Sequence, residues 1–152
     1  MSTIELVTEA HLAQLLPLMR AYCDFYESDP SDEALLAMSR VLIGDPEREG
    51  MQLIARNDEG AAIGFASIFW TWSTNAAARV GTMNDLYVAP EGRGSGTAEA
   101  LIRACVDRCR DRGAVRLEWQ TALDNHRAQA VYERVGGKRE QWLDYSLPAL
   151  KL

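Results

Sequence analysis

The alternation of apolar and polar residues predicts helices first and an antiparallel hairpin next in the amino-terminal half. "TIELV" reads as a short strand, and Thr8 is placed to cap a helix over about residues 9–27 in which Pro17 would introduce a kink. Ser31 is placed to cap a second helix that ends near Ile43. The runs "MQLIAR" and "AAIGFASIFW" flank the turn "NDEG", which predicts a hairpin, and "RVGTMNDLYV" predicts a further strand.

The carboxyl-terminal half predicts a helix, a strand, a second helix and a last strand. The first of these helices carries an apolar stripe at helical spacing, formed by Ala98, Leu101, Ile102, Cys105, Val106 and Cys109. Gly113 ends it, "AVRLEWQ" alternates as a strand, "DNHRAQAVYERVGG" reads as a capped helix, and "QWLDYSL" reads as the last strand. Hairpins followed by a β-α-β unit predict a mixed α/β (α+β) sheet.

Length and charge narrow the class of protein. With 152 residues and 47% hydrophobic content, the chain fits a single domain over residues 1–152. A formal charge of −6 argues against nucleic acid as a partner and weakly favours a small cation. No basic leader precedes an apolar segment and no run approaches the roughly 18 apolar residues of a membrane span, so we expect a soluble, cytoplasmic protein without membrane contact.

The cysteines and histidines do not predict a metal centre. The chain has three cysteines and two histidines, and Cys105 and Cys109 lie one helical turn apart on the apolar stripe. Structural zinc sites need four clustered ligands. We therefore expect Cys105 and Cys109 to pack in the apolar core, a metal or redox role being the alternative, and we expect no metal to be bound.

A glycine-rich turn stands at the start of the predicted helix in "EGRGSGTAEALIRACVDRC". The first N–H groups of a helix lack internal partners, and the helix dipole adds positive potential there, so this end attracts anions such as phosphate. The turn lacks the Gly-Lys-Ser/Thr of a Walker A loop, and Glu99 stands where a dinucleotide motif has its third glycine. The residues predict either a diphosphate cradle or a purely structural turn.

The stretch "NDLYVAPEGRGSGTAEALI" resembles the acetyl-CoA-binding motif of the GNAT (GCN5-related N-acetyltransferase) superfamily, Gln/Arg-x-x-Gly-x-Gly/Ala, at Arg93, Gly96 and Ala98. Further along, the family's Asn-x-x-Ala-x-x-x-Tyr-x-x-x-Gly helix is matched by Asn125, Ala128, Tyr132 and Gly136. This specific similarity covers about residues 80–140. The resemblance implies a central, mostly antiparallel, twisted sheet of six to seven strands, splayed at a parallel pair and flanked by about four helices.

The resemblance also implies where acetyl-CoA binds. The cosubstrate would lie between the strand that ends at Val88 and the parallel strand near Leu117, and the Val88 N–H would stabilise the oxyanion. Backbone groups of Leu86, Tyr87 and Val88 would bind the pantetheine arm. The pyrophosphate would lie on Arg93, Gly94, Ser95, Gly96, Thr97 and Ala98. Asn125, Ala128 and Tyr132 would contact the cosubstrate from the later helix, although Asn125 alone reads equally well as a helix cap.

Proton transfers need an acid and, in most cases, a base. The family's tyrosine, here Tyr132, protonates the departing thiolate, although an aromatic on such a helix also reads as a core residue. Diamine and polyamine acetyltransferases usually have Glu-Asp where this chain has Asn84 and Asp85, and a neutral amide cannot accept a proton. Asp85 or Glu118, directly or through water, remain as bases. Either could instead face outward, or the amine could arrive neutral with no dedicated base.

The acceptor pocket is predicted from residues 22–33, "YCDFYESDPSDE", which we call the acidic segment because it contains carboxylates and aromatics but no Lys or Arg. Such a surface attracts a cationic amine by charge and cation–π contact, although it also reads as a solvated helix end. The candidate acceptor-binding residues are Tyr22, Asp24, Tyr26, Glu27, Trp70 and Asn84. For Trp70, packing in the core or in a dimer is an equal alternative.

These features together predict an acetyl-CoA-dependent N-acetyltransferase that acts by direct attack in a ternary complex. The acceptor would be a primary amine of a small cationic molecule that is polyamine-like, amino-acid-like or aminoglycoside-like. One alternative is transfer to a lysine or N-terminal amine of a protein or peptide. Another is an acetyl-CoA-binding sensor that no longer catalyses transfer. A homodimer is expected only because members of the family often pair.

Overall fold

The computed structural model describes residues 2–150, and one mixed sheet of five strands organises them. The strands are β1 (Thr3–Leu6), β2 (Gly50–Arg56), β3 (Ala62–Ser73), β4 (Ala78–Val88) and β5 (Leu117–Glu118). They lie in sequence order, the first four antiparallel and β5 parallel to β4. The predicted class, a mixed α/β fold, is confirmed.

Four α-helices cover the two faces of this sheet: α1 (Leu12–Phe25), α2 (Asp32–Gly44), α3 (Thr97–Asp111) and α4 (His126–Arg134). Ile54 and Phe65 point toward α1 and α2, whereas their chain neighbours Leu53 and Ala66 point toward α3. This division follows from the strand pleat, which sends successive side chains to opposite faces. The sheet is therefore buried on both sides.

The helix signals in the sequence are largely confirmed. The Ser31 hydroxyl accepts a hydrogen bond from the Ala34 N–H at 3.1 Å and so caps α2. The stripe on α3 is buried at Leu101, Ile102, Cys105 and Cys109. The first helix differs from the prediction, because residues 9–11 form a 3₁₀ turn and α1 ends at Phe25.

A β-bulge at Asn84 changes which side chains of β4 face which helices. Ser67 pairs with Asp85 and Ile68 with Met83, so Asn84 is the extra residue. Met83 packs in the core beneath α3, and the inserted residue sends Asp85 to the opposite face, on the α1 side. The bulge therefore delivers a carboxylate to the face of the sheet that α1 covers.

The predicted count of six to seven strands is wrong, because the described residues contain five. The strand predicted from "AVRLEWQ" is reduced to Leu117–Glu118, and "QWLDYSL" is not a strand. A strand needs a neighbouring edge for its backbone hydrogen bonds. Between residues 2 and 150, the backbone of 138–150 makes no hydrogen bond to another backbone group, so its alternating pattern is left without a partner. Over the same range, no helix is both long and apolar enough to span a bilayer.

Candidate active site

The carboxyl half of β4 has an open edge beside β5. The two parallel strands pair only at Gly81 with Leu117 and at Thr82 with Glu118, and beyond that point they separate. Successive N–H groups of a strand point to opposite edges. Because the Ala89 N–H donates to the Ile63 carbonyl of β3 at 2.8 Å, the Val88 N–H points into the gap. The gap thus contains an unpaired backbone donor at the predicted oxyanion position.

The glycine turn after β4 adopts a conformation that requires glycine. Gly94 and Gly96 have φ values of 78° and 81°, in the left-handed region, and Gly96 is the N-cap of α3. A Cβ on either would meet no heavy atom within 4 Å, so the space above both is open. Gly92 is different, because a Cβ there would lie 3.0 Å from Ile63 Cδ1.

The same turn presents free backbone donors. Within the described chain, the N–H groups of residues 94–99 donate to no protein acceptor, and the first intrahelical bond runs from Ala100 N–H to the Gly96 carbonyl. Thr97 is fully buried and its hydroxyl lies 2.8 Å from that of Ser95, which fixes the first turn of α3. This arrangement of free N–H groups at a helix start fits the diphosphate of a nucleotide-bearing thioester.

Charged side chains near the turn are already balanced or directed elsewhere. The Arg93 guanidinium donates to the Val88 carbonyl at 3.2 Å, so it lies against the end of β4. Glu99, in the first turn of α3, is held by Arg103 at 2.8 Å and by Arg134 at 3.6 Å. The hydrogen bond and charge of Arg103, and then the charge of Arg134, lower the pKa of Glu99 against the opposing effect of burial. The Glu99 carboxylate is therefore neutralised by two cations.

Asp85 is buried and belongs to a polar row that crosses the sheet. Gln52 pairs with Ser67 and Ser67 with Asp85 on neighbouring strands, and all three are buried on the α1 side. The Gln52 amide donates to the Ser67 hydroxyl at 3.1 Å, and the Asn84 amide donates to Asp85 Oδ1 at 3.0 Å. A carboxylate in this row is shielded from bulk water yet next to the gap.

Tyr22 of α1 lies beside Asp85, and Tyr26, the C-cap of that helix, packs against Tyr22. The Tyr22 hydroxyl donates to the Asn84 carbonyl at 3.2 Å, and the rings of Tyr22 and Tyr26 are 4.9 Å apart. Burial, and then the Asp85 carboxylate, raise the pKa of Tyr22 well above its usual value. Tyr22 therefore stays protonated and serves as a hydrogen-bond donor.

Tyr132 approaches this cluster from α4. Its ring packs edge-on against Trp119 with centroids 5.3 Å apart, and it is half-buried against the core beneath α3. Burial, and then the nearby Tyr26, raise the pKa of Tyr132. The phenol is thus protonated at neutral pH, which a general acid requires. The structure brings Tyr22, Tyr26, Asn84 and Asp85 together, and Tyr26 lies within electrostatic reach of Tyr132.

Three predicted site residues have other partners. Glu118 is exposed and paired with Arg116 at 3.1 Å, which matches the outward-facing alternative. Trp70 is in the core and its indole N–H donates to the Pro46 carbonyl at 2.8 Å. Asn125 caps α4 by accepting the Ala128 N–H at 3.2 Å.

The acidic segment is partly neutralised by a residue that sequence reasoning missed. Arg20 pairs with Asp29 at 3.2 Å and also with Asp32, because α1 and the following loop fold back on each other. Asp24 and Glu27 are exposed, and the contacts described for residues 2–150 give neither a cationic partner. Arg20 lies on α1 just outside the acidic segment. Its place on the helix that leads into the segment was the sign of this role that the sequence offered. Gln52 and Ser67 were also missed, since paired polar residues in apolar strands become visible only with strand register.

Comparison with known proteins supports the resemblance to acetyltransferases. Residues 13–137 match the model of the acetyltransferase (GNAT) family. An uncharacterized N-acetyltransferase of Bacillus subtilis, YhfO, is 31% identical over 82% of this chain and 81% of its own length. The thialysine N-epsilon-acetyltransferase of Caenorhabditis elegans is 29% identical over 93% of this chain and 88% of its own. A crystal structure of a probable acetyltransferase aligns with a TM-score of 0.85 at 30% identity, covering 99% of both chains.

Proposed function

The chain belongs to the acetyltransferase (GNAT) family and is an acyltransferase, and from that premise we propose that it acetylates the primary amine of a small cationic molecule with acetyl-CoA. The observation that carries this proposal is the shared gap: a free Val88 N–H and a glycine cradle border it, and Asp85 and Tyr132 lie in the neighbouring cluster. A thioester donor and an amine acceptor would meet there.

The residues fit acetyl-CoA as cosubstrate. Open space above Gly94 and Gly96 and the free N–H groups that follow suit a diphosphate, and the unpaired edge of β4 suits the amides of a pantetheine arm. Leu86, Tyr87 and Val88 supply that edge. Acetyl-CoA would contribute the activated acetyl group, and the chain would contribute its orientation.

The proposed reaction is direct attack in a ternary complex. Asp85, directly or through water, accepts the proton that the substrate ammonium must lose before its nitrogen can attack the thioester carbonyl. The Val88 N–H stabilises the oxyanion that forms on the carbonyl oxygen. The carbon–sulfur bond then breaks, and Tyr132 gives its proton to the leaving thiolate. The nitrogen gives up its second proton to solvent as the amide forms, Asp85 releases its proton to solvent, and solvent reprotonates Tyr132.

The acceptor class is argued from the carboxyl end of α1. Asp24 and Glu27 leave two exposed carboxylates there, and Tyr22 and Tyr26 add aromatic faces that attract a cation. The nematode relative is named for an amino-acid-like amine, which supports an amino-acid-like or diamine acceptor over a protein. The homodimer and the cytoplasmic location remain predictions.

The central experiment is an acetyl-CoA turnover assay against a panel of diamines, polyamines, basic amino acids and aminoglycosides. We expect turnover with at least one of them, and we expect Tyr132→Phe to lower kcat at least about tenfold, roughly 1.4 kcal/mol of transition-state stabilisation. Acetyl-CoA binding, measured by calorimetry, should be unchanged. Turnover only with peptides would favour the protein-acceptor alternative, and binding without any turnover would favour a sensor.

The charge of the acidic segment gives a separate test of the acceptor. Asp24→Asn combined with Glu27→Gln should raise KM for a multiply charged amine several-fold, because two carboxylates that attract it are lost. KM for acetyl-CoA should not change. A matched control, Glu49→Gln with Asp111→Asn, alters the net charge equally at other exposed positions. Equal effects in both variants would assign Asp24 and Glu27 to the solvated surface.

A further inference from the structure

The hydroxyl of Tyr22 reaches from the last turn of α1 to the bulge of β4, and the proposed reaction makes no use of it. It donates a hydrogen bond to the Asn84 carbonyl at 3.2 Å. Asn84 is the extra residue of the bulge and has no partner residue on β3. The extra residue of a bulge is left outside the regular ladder of a sheet. Tyr22 therefore holds the main chain at the point where the pairing of β3 and β4 is interrupted.

This hydrogen bond acts on the direction of the Asp85 side chain through a single peptide unit. The carbonyl of Asn84 and the N–H of Asp85 belong to the same planar group. A bond that fixes the carbonyl therefore also fixes the plane from which the Asp85 side chain leaves the backbone. The Asn84 amide in turn donates to Asp85 Oδ1 at 3.0 Å. The bulge residue thus connects the Tyr22 hydroxyl to the carboxylate.

The Tyr22 ring is held in place by two other aromatic rings. It packs edge-on against Phe65, with centroids 5.9 Å apart, and tilted against Tyr26, with centroids 4.9 Å apart. Phe65 is buried in the core beneath α1. A tyrosine side chain has only two rotatable χ angles, so fixing its ring also fixes its hydroxyl. The position of the hydroxyl is therefore set by the packing of α1 on the sheet.

We propose that the Tyr22 hydroxyl is a positioning group for the proton transfer, which holds the bulge so that the Asp85 carboxylate stays directed toward the gap. This inference rests on the proposed function, in which Asp85 is the base. The hydroxyl has one hydrogen, and the Asn84 carbonyl accepts it. The Tyr22 ring keeps its face for the acceptor. The competing assignment is a direct hydrogen bond from the acceptor amine to the hydroxyl oxygen.

Removing the hydroxyl while keeping the ring separates these two assignments. With an amine that the native protein acetylates, Tyr22→Phe should lower kcat at least about fivefold and leave KM for the amine within about twofold, because only the orientation of the base is lost. Tyr145→Phe removes the hydroxyl of a tyrosine that is 90% exposed, and it should change neither constant. A raised amine KM with an unchanged kcat would assign the hydroxyl to direct contact and overturn the proposal.

A double-mutant cycle tests whether the hydroxyl acts through Asp85. Tyr22→Phe should cause no further loss of kcat in the Asp85→Asn protein, because the base that it positions is already gone. Effects that multiply would overturn the positioning role and leave the proposed function standing. An Asp85→Asn protein as active as the native one would overturn the base assignment in the proposed function, and the positioning role would fall with it.

Hydrogen–deuterium exchange tests the hold on the bulge without any turnover. Tyr22→Phe should speed exchange at the backbone amides of residues 83–87 at least about threefold, because the bulge loses a bond. The amides of β2 should keep their native rates, which shows that the variant is folded, and Tyr145→Phe should match the native protein throughout. Unchanged exchange at residues 83–87 would overturn the proposal. A lack of turnover with every amine would instead count against the proposed function.

Discussion

Asp85 and Glu118 show how environment separates two carboxylates that look alike in sequence. Asp85 is buried, accepts the Asn84 amide and lies beside Tyr22, whereas Glu118 is exposed and paired with Arg116. A base must be near the gap and free of a cationic partner, and Asp85 alone of the two meets both conditions. Sequence could nominate both residues but could not rank them, because burial depends on the bulge at Asn84.

The two carboxylates can be compared directly by neutralising each one. Asp85→Asn should lower kcat/KM for the amine on the order of 100-fold, because the proton acceptor is lost while the shape is kept. Glu118→Gln is the matched control and should stay within about twofold of the native protein, since an exposed ion pair contributes little. Steady-state kinetics measure both. Similar losses in the two variants, or a larger loss in Glu118→Gln, would contradict the assignment.

Elements with strong local signals were predictable, and those that depend on distant partners were not. The structure contains the predicted caps at Ser31 and Asn125 and the apolar stripe of α3. Each of these features depends only on residues that are close together in the sequence. The prediction of a last strand at "QWLDYSL" was wrong, because alternation shows only that a segment can form a strand. It does not show that a sheet edge is available for pairing in the same chain. β5 is shorter than predicted for the same reason, because it pairs with β4 only up to the point where the two strands diverge.

The cradle formed by the turn and α3 yields a prediction with a close internal control. Gly96→Ala and Gly60→Ala place a Cβ at nearly equal φ values, 81° and 82°, each with nothing within 4 Å. Both should lose about 1–2 kcal/mol of folding free energy in urea titrations, because alanine is strained in the left-handed region. Only Gly96→Ala should raise KM for acetyl-CoA, since Gly60 lies in the β2–β3 turn. An equal change of KM in both would remove the cradle from cosubstrate binding.

At the scale of the whole molecule, the buried thiols make the free energy of unfolding depend on pH in the alkaline range. All three cysteines are buried and unpaired, and the sequence predicted this packing for Cys105 and Cys109. Burial raises the pKa of Cys109 from 9.0 to about 11, and it raises the pKa of Cys105 as well. A raised pKa means that the unfolded chain loses the proton first. The stabilising effect is therefore complete below pH 9.0 and is lost as the pH rises through about 11.

The expected result is a free energy of unfolding that decreases between about pH 9 and about pH 11. Cys109→Ala should make that decrease smaller, because one of the contributing thiols is gone, although its stability near neutral pH also falls from the lost packing. Urea unfolding at several pH values measures both quantities. An unchanged pH dependence in the variant would exclude Cys109 as a contributor.

The extra residue in β4 also constrains how this strand can evolve. Deleting position 84 would restore regular pairing with β3, and Asp85 would still face α1 opposite Ser67, because adjacent residues of a regular strand lie on opposite faces, as Met83 and Asp85 do now. The deletion would instead remove the Asn84 carbonyl that accepts the Tyr22 hydroxyl and the Asn84 amide that donates to Asp85. A substitution at residue 84 removes only the amide, because every residue has a backbone carbonyl. The presence of a residue at this position is thus fixed more tightly than the identity of its side chain.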